Sequence, residues 1–237
     1  MTVSKGRFEL EKFADRMAPY YEGLQQILSL GFEPTDFIHY FPAFAGHLTL
    51  ARFLSLYEAY KMTLGVAGHI AEIGVYKGAG SLLFAKLTQL FEPASLTLVH
   101  GFDWFQGTRI TADEKYLDEN ECREDYDRIV KLIAAQGLSN IVHLHKLDVT
   151  KELDAFFTEH SHLRFKLVFS DCGSYEVVKA TLQHFWPRLT SGGVMVFDQF
   201  SHEVGPGETR AIQEFIPDAK LRTFTFGWMP TAYVVKP

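Results

Sequence analysis

Cysteine is nearly absent. Cys122 and Cys172 are the only two, and their separation matches neither a metal-ligand spacing nor a disulfide framework. A reduced, cytoplasmic setting is the expectation. No apolar run approaches the ~18 residues that a membrane span needs. Met1-Thr2-Val3-Ser4-Lys5 leads into a charged helical pattern rather than the apolar core of a signal. Basic blocks are missing as well. With a net charge of −6 and a pI near 5.9, the chain presents no patch for general nucleic-acid or anionic-membrane binding. Repeats, low-complexity tracts and Pro/Gly/Ser-rich linkers are lacking too, which leaves no sign of a multidomain array.

What is present suits one α/β domain with a helical extension. A chain of 237 residues, 47% hydrophobic and 22% charged, can bury a sizeable core. Apolar positions Phe8, Phe13, Met17, Tyr20, Leu24, Ile27 and Leu28 fall at helical spacing, and Gly31-Phe32-Glu33-Pro34-Thr35 breaks the run. A second helical run over 48–64 carries Leu50, Phe53, Leu54, Tyr57 and Tyr60. Residues 1–66 are thus expected to be an N-terminal helical cap, covering a pocket or making a homo-oligomer contact, and 67–237 the main domain.

From His69 the pattern alternates strand and helix, which predicts a parallel sheet with helices on both faces. Strands are expected at Ile70–Val75, Leu96–Asp103, Ile141–Leu147, Phe165–Asp171, Gly193–Phe197, Arg222–Phe226 and Ala232–Val235. Helices are expected at Ala79–Phe91, Glu119–Gln136, Lys151–Phe157, Glu176–Leu189 and Glu208–Phe215, with Gly192-Gly193 as a C-cap. The fold class is a Rossmann-like α/β fold with a seven-stranded, mostly parallel sheet.

Ligands of such sheets sit beyond the C-terminal strand ends, so the residues after each strand are the site candidates. After the first strand comes Glu72-Ile73-Gly74-Val75-Tyr76-Lys77-Gly78-Ala79-Gly80-Ser81, a G-x-x-x-G-x-G turn entering a helix. It is not the dinucleotide G-x-G-x-x-G, and it lacks the Gly-Lys-Ser/Thr end of a phosphate loop. Its acidic strand end and glycine turn resemble the first motif of class I S-adenosylmethionine (SAM) methyltransferases. After the second strand, Asp103 is placed either to accept from both ribose hydroxyls or to cap the following turn. Asp148, after the third, either reaches an adenine amino group or caps a helix.

Asp171 and Asp198 end adjacent strands, and two close carboxylates repel unless they share a proton or hold a cation. The alternatives are Mg²⁺ on Asp171 and Asp198, with Gln199 as a neutral ligand, or a metal-free hydrogen-bonded pair. Glu208 either faces substrate or caps a helix. Tyr40 and Phe41 either help form a lid over substrate or pack in a core or subunit contact.

One family joins these segments. Gly101-Phe102-Asp103-Trp104-Phe105-Gln106-Gly107 resembles the G-F-D-T-F-E-G of macrocin-type (TylF-like) sugar O-methyltransferases. Glu72 to Gly78, Trp186-Pro187-Arg188-Leu189 with Gly192-Gly193, and Pro206-Gly207-Glu208-Thr209 are similar to that family in the same order. The resemblance implies SAM-dependent methylation of a hydroxyl on a small sugar-containing or natural-product molecule, usually with Mg²⁺. The cofactor side would then comprise Glu72, Gly74, Tyr76, Gly78, Gly80, Ser81, Asp103, Trp104, Asp148 and Asp171. Two departures stand out. Where the family reads D-x-D-x-Y, this chain reads Asp171-Cys172-Gly173-Ser174-Tyr175, and its acidic pair becomes Asp198-Gln199. Related cephalosporin-hydroxylase-like members read D-D-G-S-H, which puts Tyr175 at their base position. Asp171 and Tyr175, together with His202 just after the fifth strand, are the catalytic candidates. A protein that binds SAM without methyl transfer, and a different reaction on the same scaffold, are the alternatives.

Overall fold

The computed structural model describes residues 14–109, 121–202, 206–226 and 228–237. Phe8, Phe13, the first two residues of the helix expected from Glu119, and Gly205 lie outside them, as does the side chain of Met17. Contacts divide the chain into two units, one up to Ala51 and one from Arg52. In the first, α1 (Ala14–Ser29) turns at Gly31 into two short helices, α2 (Pro34–His39) and α3 (Phe41–Phe44). Tyr20 donates its hydroxyl to Phe44 O at 2.9 Å, and the Phe32, Phe37 and Phe44 rings pack together. Helix α4 (His47–Met62) begins in this unit and continues into the second.

The second unit is the strand–helix alternation expected from His69 onward. It runs β1 (His69–Ile73), α5 (Ala79–Phe91), β2 (Val99–Asp103), α6 (Tyr126–Ala135), β3 (Val142–Lys146), α7 (Val149–Glu159), β4 (Phe165–Ser170), α8 (Tyr175–Phe185), β5 (Leu189–Phe197), α9 (Pro206–Phe215) and β6 (Ala232–Val235). The sheet order is β3-β2-β1-β4-β5-β6; β6 pairs antiparallel with β5, and the other neighbours are parallel.

Successive strand side chains point to opposite faces, so alternate residues feed two cores. Ile70, Leu167 and Val194 join one core with α4, α5 and α6 residues such as Tyr60, Phe84 and Ile133. Ala71, Val168 and Met195 join the other with Leu153 of α7, Phe185 of α8 and Ile212 of α9. Burial on both faces explains why these strands read as continuous apolar runs.

Two expectations are corrected. Among the described residues the sheet has six strands, because Arg222–Phe226 supplies a single bridge from Arg222 to Tyr233. Phe224 turns into the first core against the Tyr233 ring instead of extending the ladder. Nor do Gly192 and Gly193 cap a helix. Helix α8 ends at Phe185, the chain enters β5 at Leu189, and Gly192, at φ +80°, donates its N–H to Lys236 O.

Candidate active site

The strand ends of the second unit carry the candidate residues. Glu72, near the end of β1, is buried, and its carboxylate accepts from the backbone N–H and the hydroxyl of Ser81 at the start of α5. Burial, with Asp171 adding, pushes the Glu72 carboxyl up to about 8 against the Ser81 hydrogen bonds. A Cβ on Gly80 would lie 2.0 Å from Glu72 Oε1, so any side chain there would displace the Glu72 carboxylate. Gly74 has φ +92°, and a Cβ there would meet Asp171 O at 2.4 Å. The turn from Gly74 through Gly78, the left-handed N-cap of α5, thus brings backbone close to the end of β4.

Asp103 at the end of β2 accepts the N–H of Tyr76 at 2.9 Å and that of Phe105 at 2.6 Å, both left-handed residues. Burial raises its carboxyl above the ordinary range while these N–H groups oppose the rise. Trp104 donates its indole N–H to Gly107 O, and the Arg109 guanidinium lies 4.2 Å from its ring centre. Arg109 also reaches Asp148 at 2.9 Å. Asp148 is the N-cap of α7, accepting from the N–H and hydroxyl of Thr150. Burial works against its charge, yet the Thr150 and Arg109 hydrogen bonds hold it down at about 2.

Asp171 and Asp198 do converge, and a cation lies between them: the guanidinium of Arg52 on α4. Its Nη2 donates to Asp171 Oδ2 at 2.6 Å and its Nη1 to Asp198 Oδ1 at 2.5 Å. Although burial opposes the charge, the two carboxylates hold Arg52 above its ordinary range. The Gln199 side chain, expected as a metal ligand, lies against Gly173, where a Cβ would stand 1.8 Å from Gln199 Oε1. As arranged, these residues do not fit Mg²⁺. The described residues include no group of three or more His, Cys, Asp or Glu suited to a metal ion.

The remaining candidates lie on α9, at the start of α8, in the turn after β5 and in the first unit. Glu208 is fully buried and accepts the Gln199 N–H at 2.6 Å, which braces the turn after β5. Burial, with Asp198 adding, raises its carboxyl well above the ordinary range. The Tyr175 hydroxyl donates to Glu214 at 2.7 Å, under the Arg210 guanidinium, and that hydrogen bond raises the phenol. His202 is half-buried, its N–H bonded to Gln199 O. Tyr40 and Phe41 belong to the first unit, where exposed Tyr40 lines an apolar cleft of about 450 Å³ with Leu30, Phe32 and Phe44.

A family model described as a methyltransferase domain matches residues 71–200, from within β1 past Asp198. The chain belongs to the methyltransferase-domain family. Solved structures agree on the architecture. The calicheamicin methyltransferase CalS11 superposes with a TM-score of 0.80 at 23% identity, over 98% of this chain and 94% of that one. Its apo form, described as a TDP-rhamnose 3'-O-methyltransferase of calicheamicin biosynthesis, gives 0.74 at 23% over 98% and 96%. The O-methyltransferase NovP gives 0.64 at 16% over 78% and 79%. These likenesses establish the class I SAM-methyltransferase fold. No curated protein matches the sequence.

In this methyltransferase, sequence reasoning missed Arg52, Arg109 and Glu214. Arg52 is 119 positions from Asp171, and only folding joins them. One signal was present: between Asp36 and Glu58, Arg52 is the only Asp, Glu, Lys or Arg, set in an apolar helix.

Proposed function

We propose that the protein is a SAM-dependent O-methyltransferase acting on a hydroxyl of a small sugar-containing or natural-product acceptor, of the macrocin-type kind that its sequence resembles. The observation that carries this reading is Asp103, a carboxylate presented at the end of β2 by two backbone N–H groups beside the Gly74–Gly80 turn. The residues present fit SAM: Asp103 retains lone pairs for ribose hydroxyls beside a glycine turn at the end of β1. The aromatic face of Trp104, stiffened by Arg109, adds a wall next to that carboxylate. When bound, SAM supplies a methyl group on a sulfonium, which needs positioning and exclusion of water more than covalent help.

An alcohol must lose its proton as its oxygen is methylated. Asp171 is the group suited to accept it. Its side chain is 26% exposed, against 5% for Asp198, so it is the open member of the pair. Tyr175 donates its hydroxyl to Glu214 and Glu208 is buried, so Asp171 is the open carboxylate at these strand ends, with half-buried His202 after β5 as the second candidate base. The sugar-like acceptor is supported by the sequence motifs and by the likeness to CalS11, a TDP-rhamnose 3'-O-methyltransferase.

Calorimetric titration with SAM and S-adenosylhomocysteine tests the cofactor reading. Both are expected to bind, and Asp103→Ala should weaken them roughly 10–100-fold by removing hydrogen bonds to a charged group. Absence of binding to the wild-type protein would overturn it.

A further inference from the structure

The carboxylate pair already contains a positive charge supplied by the chain. Arg52 spans two strand ends with one fork, each terminal nitrogen taking one oxygen of a different aspartate. A guanidinium is planar and permanently charged, and its donors match carboxylate geometry, so it fixes spacing as well as charge. The group rests near the fully buried Phe169 ring, 5.3 Å from the guanidinium carbon. It is 25% exposed, as Asp171 is 26%, while Asp198 is 5%. The cluster is therefore closed beneath and open on the Asp171 side.

The surroundings complete it without a metal. Mg²⁺ requires near-octahedral oxygens at about 2.0–2.1 Å and usually keeps several waters. Here the facing carboxylate oxygens are taken by Arg52, and the Gln199 amide lies in the space that any side chain at Gly173 would need. The positions of the two departures from the family pattern, 173 and 199, are thus in contact with one another. Glu208 behind Asp198 spends one oxygen on the Gln199 N–H.

We propose that Arg52 is the resident cation of this site, a positioning residue that holds Asp171 and Asp198 in place of a divalent ion. Its service to methyl transfer rests on the function proposed above; its occupation of the cation position does not.

Mn²⁺, read by electron paramagnetic resonance, is the probe. Wild-type protein at millimolar Mn²⁺ should leave the free-ion signal unchanged. Arg52→Gln should take up one Mn²⁺ per chain at least about ten-fold more tightly than wild type. Adding Asp198→Asn should abolish that uptake, and Arg52→Lys, which keeps a charge, should behave as wild type. A merely structural Arg52 would not produce this exchange of one cation for another. Uptake of one Mn²⁺ by the wild type, competed by Mg²⁺ and lost in Asp171→Asn, would overturn the proposal. So would a folded Arg52→Gln variant that takes up none. Should that variant fail to fold, the wild-type and Asp171→Asn titrations decide by themselves. SAM titration of the same samples separates the two readings: failure to bind SAM removes the methyltransferase proposal and leaves the Mn²⁺ result standing.

Discussion

Strand β4 holds a cation against carboxylate at both ends. At its start, Lys166 is fully buried, its Nζ 2.5 Å from Glu92, which also accepts the Tyr60 hydroxyl. Past its other end, Arg52 joins Asp171 and Asp198 with a quarter of its side chain exposed. The chemistry is alike and the setting is not. Lys166 lies at the strand's N-terminal end, where a doubly wound sheet binds nothing, and its charge is enclosed by α4 and α5 residues. Arg52 lies at the C-terminal edge, where ligands bind. An ion pair marks a functional site by its place on the sheet and its access to solvent, not by being buried.

Breaking the sealed pair should have the largest effect. Glu92→Ala leaves Lys166 uncompensated and should cost about 3–5 kcal/mol, lowering Tm by roughly 6–20 °C in a thermal melt. A joint Lys166→Met, Glu92→Leu replacement should recover most of that loss. Arg52→Gln should lower Tm by less than Glu92→Ala, because part of its cluster is exposed to water. Equal losses would erase the distinction drawn between the two ends.

Gly80→Ala tests the cofactor half of the open edge. Its methyl group would drive into Glu72, at a cost of about 1–3 kcal/mol, and SAM affinity should fall with it in calorimetry. Unchanged affinity would show that the Glu72 contact does not shape the turn.

A third cluster sharpens the contrast through pH. His100 Nδ1 and His145 Nε2 lie 2.9 Å apart on β2 and β3 in stacked rings, near His69, His143 and His160. Burial, with the neighbouring histidines adding, pushes His100 down to about 3 and His145 to about 4. The unfolded chain protonates both below about 6.5, so their contribution is complete above that pH. It is lost as pH falls from there toward about 4 and then about 3. Glu72, raised to about 8, acts in the opposite sense, so a variant comparison is needed. Urea midpoints should show His145→Gln losing less stability than wild type between neutral and acidic pH; parallel curves would contradict the assignment.

The smallest effect is expected at Asp148. Asp148→Ala removes the α7 cap and should cost about 1 kcal/mol in urea titration. Its effect on SAM affinity separates the helix-cap reading from the adenine reading: stability alone changes under the first, both under the second.

Much of this was legible in the chain. The β1 turn, the five strand–helix alternations and helix α5 follow from short-range signals: apolar runs, glycine spacing and caps. Asp103 could be placed because it ends a strand and precedes a turn. The edge segment after Arg222 misled because its apolar residues fit a strand and a core anchor equally well. The burial of Glu208 was not legible, because its partner, the Gln199 N–H, lies across a turn of the chain.

The sequence by itself determined the alternation, the order of strand-end carboxylates and the glycine turn, because each depends on neighbours a few positions away. Only the tertiary structure decided which cation lies between Asp171 and Asp198, that Gln199 fills the space at Gly173, and that Tyr175 is bound to Glu214. Those partners are brought together by parallel strand pairing and helix packing across tens of positions, and local sequence carries no record of such distances.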